Sequence, residues 1–203
     1  MKQDYTQGTA DNPGGVKFSI RKYLGLRRLI GVPGLRERVL HDLTILHVAE
    51  FLWFGDTQPC MVCSIDPLLV SAYSEAFDAV VILKFPDMLV KKYRLSVGDR
   101  LVSSNIHHGN PFGEVASDIY PGPENNGYYQ SFTPIVQLFL GKNDSFIRSR
   151  TELFDPELWA RVEKLTDEYR KNHPDLFRDG FSYFGSVNRR AIAYRKALKK
   201  NDY

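Results

Sequence analysis

The chain has 203 residues, of which 43% are hydrophobic and 25% are charged, and its formal net charge is +3. This composition is typical of an ordinary globular protein and excludes a chain that is disordered throughout. The small net charge does not by itself indicate a nucleic-acid-binding protein, so the distribution of charge along the chain carries more information than its sum.

The N-terminal tract is polar and ends in the turn-forming sequence DNPGG. It lacks the basic start and apolar run of a signal peptide. The longest apolar-rich stretch, residues 43–54, is shorter than the ~20 residues that a membrane span needs. We therefore expect a cytoplasmic protein that does not enter a membrane, with a flexible arm over residues 1–15 and a single globular domain over residues 16–203.

Two helices are the first elements predicted in chain order. Ile20, Tyr23 and Leu24 lie on one face of the first helix, and the sequence GVPG at 31–34 ends it. A second helix is predicted from Leu35, because apolar residues continue at helical spacing. The end of this stretch, residues 44–54, fits a helix or a strand equally well.

The middle of the chain alternates between short predicted strands and helices. Met61–Ile65 is predicted as a strand, and residues 66–77 as a helix with Asp66 as its N-cap and Pro67 at its first position. The nearly continuous apolar run Ala79–Phe85 predicts a central strand that is covered on both faces. A short helix over 86–93 and a strand over 100–105 follow.

One segment of this region resembles a known family. The sequence FPDMLVKKYRLSVGD, from Phe85 to Asp99, is similar to the strand, short helix, Gly-Asp turn and strand of AbrB-like DNA-binding proteins. The residues that match are Pro86, Leu89, Leu95, Gly98 and Asp99. The resemblance covers fifteen to twenty residues, roughly, and implies a local β-α-turn-β unit.

The last part of the chain begins with a long irregular region. Residues 105–134 show little periodicity and are rich in glycine and proline, which predicts a long loop. The sequence IVQLFLG then predicts a strand or the start of a helix. Residues 155–172 predict a helix that Asp155 caps and Pro156 opens, and residues 187–200 predict a last helix. The order of elements predicts an α+β or mixed α/β fold, with helices packed on a small central sheet.

The two cysteines form a C-x-x-C sequence, Cys60 to Cys63. A redox pair of this kind lies at the start of a helix, where the helix dipole lowers the thiol pKa. Here the cysteines lie in or beside a predicted strand, where residues three apart point to opposite faces. We therefore expect two buried structural thiols and predict neither a metal site nor a cofactor.

The long loop is the first candidate site. Loops longer than ~12–15 residues are usually functional or disordered, and this one follows the end of a strand. His107 and His108 are candidate general acids or bases, with Glu114 or Asp118 as the partner carboxylate. His107 is the leading candidate, because histidine titrates near neutral pH and this residue opens the loop.

Clustered basic residues are the second candidate site. If the N-terminal and C-terminal clusters fold onto one face, they form a positive patch that can hold phosphates. The alternative is a solvated terminal helix whose cations are favoured by the helix dipole. The candidate binding residues are Arg21, Arg28, Arg36, Arg189, Arg190, Lys196 and Lys200.

Two functional hypotheses follow. The first is a binding module that contacts nucleic acid or an acidic protein through the basic clusters. The second is an enzyme with an acid-base site on the 105–133 loop. The sequence contains no P-loop, G-x-G-x-x-G, G-x-S-x-G or H-E-x-x-H motif. The first hypothesis is therefore preferred, because no catalytic constellation is recognisable.

Overall fold

The computed structural model describes residues 10, 12–30, 35–109 and 113–181, and the burial of the side chains of residues 27–44 is not described. The helices are α1 (Ile20–Ile30), α2 (Leu35–Phe54), α3 (Met88–Tyr93), α4 (Gln137–Leu140), α5 (Asp144–Ser149) and α6 (Pro156–Asn172), with a 3-10 turn over Arg150–Leu153. The strands are β1 (Asp56–Ile65), β2 (Leu68–Ser74), β3 (Ala79–Phe85), β4 (Arg100–His108), β5 (Tyr120–Pro121), β6 (Ser131–Val136) and β7 (Arg178–Asp179).

The strands form one curled sheet in the order β5-β3-β2-β1-β4-β6, and all neighbours on this path are antiparallel. Strand β7 pairs with β3 in parallel. The larger core packs side chains of α1 to α4, such as Tyr23, Leu52, Leu89 and Phe139, against the sheet. A smaller core packs α6 against the sheet. The predicted α+β class, with helices on a central sheet, is confirmed.

The prediction of a helix over residues 66–77 is wrong. Asp66 and Pro67 form the turn of a hairpin, and Leu68–Ser74 is strand β2, paired with β1 on one side and β3 on the other. All seven residues of β2 are buried. A strand covered on both faces has no polar alternation, so its apolar run does not differ from that of a buried helix.

Several other predictions are confirmed in the structure. Strand β3, helix α3, the turn at Gly98 and strand β4 follow one another as the β-α-turn-β unit requires. Gly98 has a φ of 88°, which glycine adopts without a steric penalty. Asp155 caps α6 by accepting a hydrogen bond from the Leu158 N–H at 2.7 Å. Residues 44–54, left open by the sequence pattern, are helical.

The expected loop over residues 105–134 is shorter than the sequence pattern predicts. Strand β4 continues to His108, and β6 begins at Ser131, so both candidate histidines lie in a strand. The sequence IVQLFLG contains the end of β6 and the whole of α4. The predicted last helix over 187–200 lies outside the described residues, as does most of the predicted arm. Within that arm, Gly14 and Gly15 donate backbone hydrogen bonds to Gly55 and Trp53.

Both cysteines are free and buried. Cys60 packs in the larger core and Cys63 in the smaller one, as expected for residues three apart on a strand. Burial raises the pKa of the Cys60 thiol and raises that of Cys63 to about 11. Both thiols therefore stay protonated at neutral pH, which is the state of inert structural cysteines.

Candidate functional site

His107 is held at the end of the sheet by contacts from two other segments. Its Nε2 lies 2.6 Å from the Ser74 hydroxyl, and its ring lies 4.5 Å from the ring of Tyr129 between centroids. The register of the pairing between β1 and β4 explains why His107 can contact Ser74. Strand β1 begins at Asp56 opposite Asn105, so the last part of β4 has no β1 neighbour, and His107 can meet the end of β2.

The burial of His107 determines its charge. Burial, with a smaller contribution from His108, lowers the pKa of His107 to about 4. The imidazole is therefore neutral at pH 7 and can exchange one hydrogen bond with Ser74. Ser74 is 0% exposed, so its hydroxyl holds the histidine in place and is not open to a substrate.

We expect this buried histidine to weaken the fold in mild acid. The unfolded chain binds a proton near pH 6.5 and the folded chain only near pH 4, so acidification through this window favours unfolding. The His107→Gln variant lacks the titrating group. Between pH 7 and pH 5, its free energy of unfolding is expected to fall by about 2 kcal/mol less than that of the parent. Urea unfolding at the two pH values measures this, and equal losses in both proteins would contradict it.

Among the described residues, the side chains of the other three predicted loop residues form no hydrogen bond to His107, and two of them lie near Arg178. His108 points to Thr133, with Nε2 2.8 Å from its hydroxyl, and its pKa is lowered by burial and by Arg178. Arg178 donates two hydrogen bonds of 2.7 Å to the Asp118 carboxylate, and these lower the pKa of Asp118. Glu114 is exposed. The structure brings His108 and Asp118 to the same arginine, and it places His107 on the Ser74 side of β4.

A second arginine fastens the loop to the sheet. Arg161 of α6 forms a two-bonded ion pair with Asp78 at 2.9 and 2.8 Å, and a third bond of 2.8 Å to Glu124. Asp78 also accepts hydrogen bonds from Tyr73 and from the backbone of Glu124. We call the ion pairs of Arg161 with Asp78 and Glu124 the Arg161 clasp. This clasp and the Asp118–Arg178 pair link the charged residues of the loop to α6 and β7 and so contribute to the fold.

The described residues also form a cationic site, which we call the Tyr93 basic cluster: Lys22, Lys92, Arg148 and Tyr93. The ammonium groups of Lys22 and Lys92 lie 5.4 and 5.1 Å from the centroid of the Tyr93 ring. Arg148 donates to the Tyr93 backbone carbonyl at 3.0 Å. Three separate helices, α1, α3 and α5, thus bring one cation each to the same tyrosine.

The positive charge of this cluster is only partly neutralised. Among the described residues, Asp144 is the carboxylate that pairs with it, at 2.7 Å from Lys22 Nζ. Burial lowers the pKa of Lys22, Asp144 raises it, and the nearby charges of Lys92 and Arg148 lower it again. Lys92 and Arg148 are exposed and have no ion pair to a described carboxylate. The cluster therefore presents two unneutralised cations to solvent.

The structure locates only some of the predicted basic residues. Arg21 is exposed on α1 and adjoins Lys22 in sequence. Arg28 and Arg36 lie on helices, but their side chains are not described, and Arg189, Arg190, Lys196 and Lys200 lie outside the described residues. The grouping of the N-terminal and C-terminal clusters on one face therefore stays a prediction. Sequence reasoning missed Lys92 and Arg148, although the KKY end of α3 is a local signal.

The described residues contain no group of three or more side chains that could ligate a metal ion. Among the described helices, none combines the length and the apolar character of a membrane span. No family model matches the chain, and no curated protein or solved structure matches it either.

Proposed function

We propose that this protein is a binding protein that contacts the phosphate backbone of nucleic acid through the Tyr93 basic cluster. The observation that carries the proposal is the convergence of cations from α1, α3 and α5 on Tyr93, where Asp144 pairs with Lys22 alone among the described residues. Like charges repel, so their grouping on a surface is favoured when a polyanion neutralises them.

The rigidity of the cluster supports this proposal. Tyr93 is buried at the end of α3, and Lys22 is anchored by the Leu138 carbonyl at 2.6 Å and by Asp144. Arg148 is held by its hydrogen bond to the Tyr93 carbonyl, and Lys92 lies over the Tyr93 ring. Arg21 adds an exposed cation on α1. An anchored set of cations loses less side-chain entropy on binding than scattered surface lysines do.

The proposal predicts strongly salt-dependent binding. Three phosphate contacts, by Arg21, Lys92 and Arg148, release counterions, so affinity for duplex DNA should fall about 40-fold between 50 and 200 mM salt. The double variant Lys92→Gln/Arg148→Gln should bind more weakly, and its fall over the same range should be only about 3-fold. Fluorescence anisotropy of a short labelled duplex measures both.

Matched controls separate the cluster from general charge. Lys164→Gln removes an exposed cation from α6, far along the chain from the cluster, and should keep the salt slope of the parent. Absent binding at 50 mM salt, or an unchanged slope in the double variant, would reject the proposal. If polyglutamate displaces the labelled duplex as effectively as unlabelled DNA does, the partner is an acidic protein and not nucleic acid.

The alternative function, an enzyme with an acid-base site on the 105–133 loop, has one contact in its favour, the hydrogen bond between His107 and Ser74. We rank it second, because His107 binds Ser74, Asp118 is paired with Arg178, and the four candidate residues do not meet at one site. The His107→Gln variant distinguishes the two functions. Nucleic-acid binding should be unchanged in it, whereas an acid-base enzyme would lose turnover.

A further inference from the structure

A second polar cluster, which shares no residue with the Tyr93 basic cluster, surrounds the guanidinium of Arg150. Arg150 Nη2 donates to the Thr57 hydroxyl and, at 3.0 Å, to the Pro13 carbonyl. The Gln137 amide lies 3.3 Å from the same Thr57 oxygen and 3.1 Å from the Ser104 hydroxyl. Thr57, Ser104 and Gln137 are each 0% exposed. We call these four side chains the Arg150 cluster.

The charge of Arg150 is not neutralised within the described chain. Its contacts there are to neutral oxygens and to the Phe146 ring, whose centroid lies 5.4 Å from Cζ. Burial lowers the pKa of Arg150, with no opposing contribution from a described carboxylate. Buried charges are normally paired, so a half-buried guanidinium without an anion is an unusual feature.

The hydrogen-bond inventory of the cluster contains more donors than acceptors. Arg150 Nε and Gln137 Oε1 are buried and have no partner among the described residues. The hydroxyls of Thr57 and Ser104 each receive a bond from Gln137 and have a hydrogen left to donate. If the amide of Gln137 is turned over, its oxygen accepts hydrogen bonds from the Thr57 and Ser104 hydroxyls. The amide NH2 group then takes the unpaired position and becomes a second donor without a partner, beside Arg150 Nε. In either orientation the cluster has more hydrogen-bond donors than acceptors, next to a positive charge.

A segment of the chain covers the cluster. Asn12 accepts a backbone bond from Thr57, and Gly14 donates one to Gly55 at 2.9 Å. The Cβ of any other residue at Gly14 would approach the Ser104 hydroxyl to 2.9 Å, so the cover fits closely. Arg150 donates to the Pro13 carbonyl and so ties this cover to the cluster.

From these contacts we propose that the Arg150 cluster binds a small carboxylate. Nη2 already donates to Thr57 and Pro13, so Arg150 offers its unused Nε–H, and a charged donor of this kind bonds strongly to a carboxylate. The hydroxyls of Thr57 and Ser104 supply the remaining donors. This site is distinct from the Tyr93 basic cluster, so the proposal does not depend on nucleic-acid binding.

Formate is the probe that tests the proposal. At about ten times its Kd, formate should raise the Tm of the full chain by about 3–6 °C relative to sodium chloride of equal ionic strength. Arg150→Lys keeps the charge but removes the Nε–H donor and should abolish the difference. Gln137→Glu places a carboxylate beside Arg150 and should also abolish it, while raising the Tm measured without formate. Lys164→Gln should respond as the parent does.

Three results would overturn the proposal. The first is the same Tm in formate and in chloride. The second is a crystal structure grown with formate in which a water alone joins Arg150 Nε to Gln137. The third concerns Asp11, which precedes Asn12 in sequence. If Asp11→Asn lowers the Tm as Arg150→Lys does and removes the formate response, the anion that Arg150 requires belongs to the chain itself.

Discussion

Replacing Asp78 by Asn is expected to lower the free energy of unfolding by about 3 kcal/mol, because it leaves the Arg161 guanidinium without its main partner. The Asp78 side chain is 4% exposed and lies against Arg161 Nη2 at 2.8 Å. It also accepts a hydrogen bond from Tyr73 at 2.9 Å. Asp78 has a φ of 43°, and asparagine tolerates this left-handed conformation well. The change therefore tests the charge and leaves the backbone unstrained.

The pH dependence provides a second readout of the same pair. Burial raises the pKa of Asp78, but hydrogen bonds from Arg161, the Glu124 backbone and Tyr73 outweigh this and lower it below its usual value. A lowered pKa in the folded state stabilises the protein above the unfolded value of about 3.9, and this is lost as pH falls through the folded pKa. The Asp78→Asn variant should lack this acid-dependent loss.

A double-mutant cycle completes the test. Arg161→Gln alone should also destabilise, and the double variant should lose less than the sum of the two single changes. Chemical unfolding at pH 7 measures all three. Exposed ion pairs contribute less than about 1 kcal/mol. If Asp78→Asn lowers the free energy of unfolding by no more than this, solvent screens the Asp78–Arg161 pair.

Replacing Phe85 by Ala is expected to lower the free energy of unfolding by about 3–5 kcal/mol. Its ring lies 4.9 Å from that of Phe139 and 5.2 Å from that of Phe181 between centroids. The side chain is 2% exposed, and it joins β3 to α4 and to the segment after β7. Removing the ring leaves a cavity at the meeting point of three elements.

Phe85→Leu is the matched control, since it keeps most of the apolar volume and should cost clearly less than Phe85→Ala. Urea unfolding followed by far-UV circular dichroism gives both values. If the alanine variant loses no more than the leucine variant, the ring contacts do not stabilise this region.

The strongest sequence signals were local ones. Asp155 and Pro156 mark the start of α6 with a cap and a first-turn proline, and the structure has both. The run Ala79–Phe85 predicts a covered central strand, and β3 lies between β2 and the short strands β5 and β7. These elements could be predicted because their signals depend on side chains a few positions apart.

The candidate sites depended on distant contacts and could be predicted only in part. Residue type alone makes His107 a candidate in the sequence, but its contact with Ser74 joins two residues 33 positions apart. Asp118 was proposed as a catalytic partner, whereas its carboxylate pairs with Arg178, 60 positions away. The spacing of residues along one segment carries no information about such partners.

The sequence alone predicts the α+β class, the Asp155 cap, the turn at Gly98, and the separation of Cys60 and Cys63 onto two faces. Helix periodicity, strand alternation and capping chemistry are properties of short segments, so these features can be read locally. Tertiary structure alone decided that residues 68–74 form a strand, because pairing with β1 and β3 outweighs any local preference. It also decided which cations share a surface, since Lys22 and Arg148 reach Lys92 and Tyr93 only after α1 and α5 pack near α3.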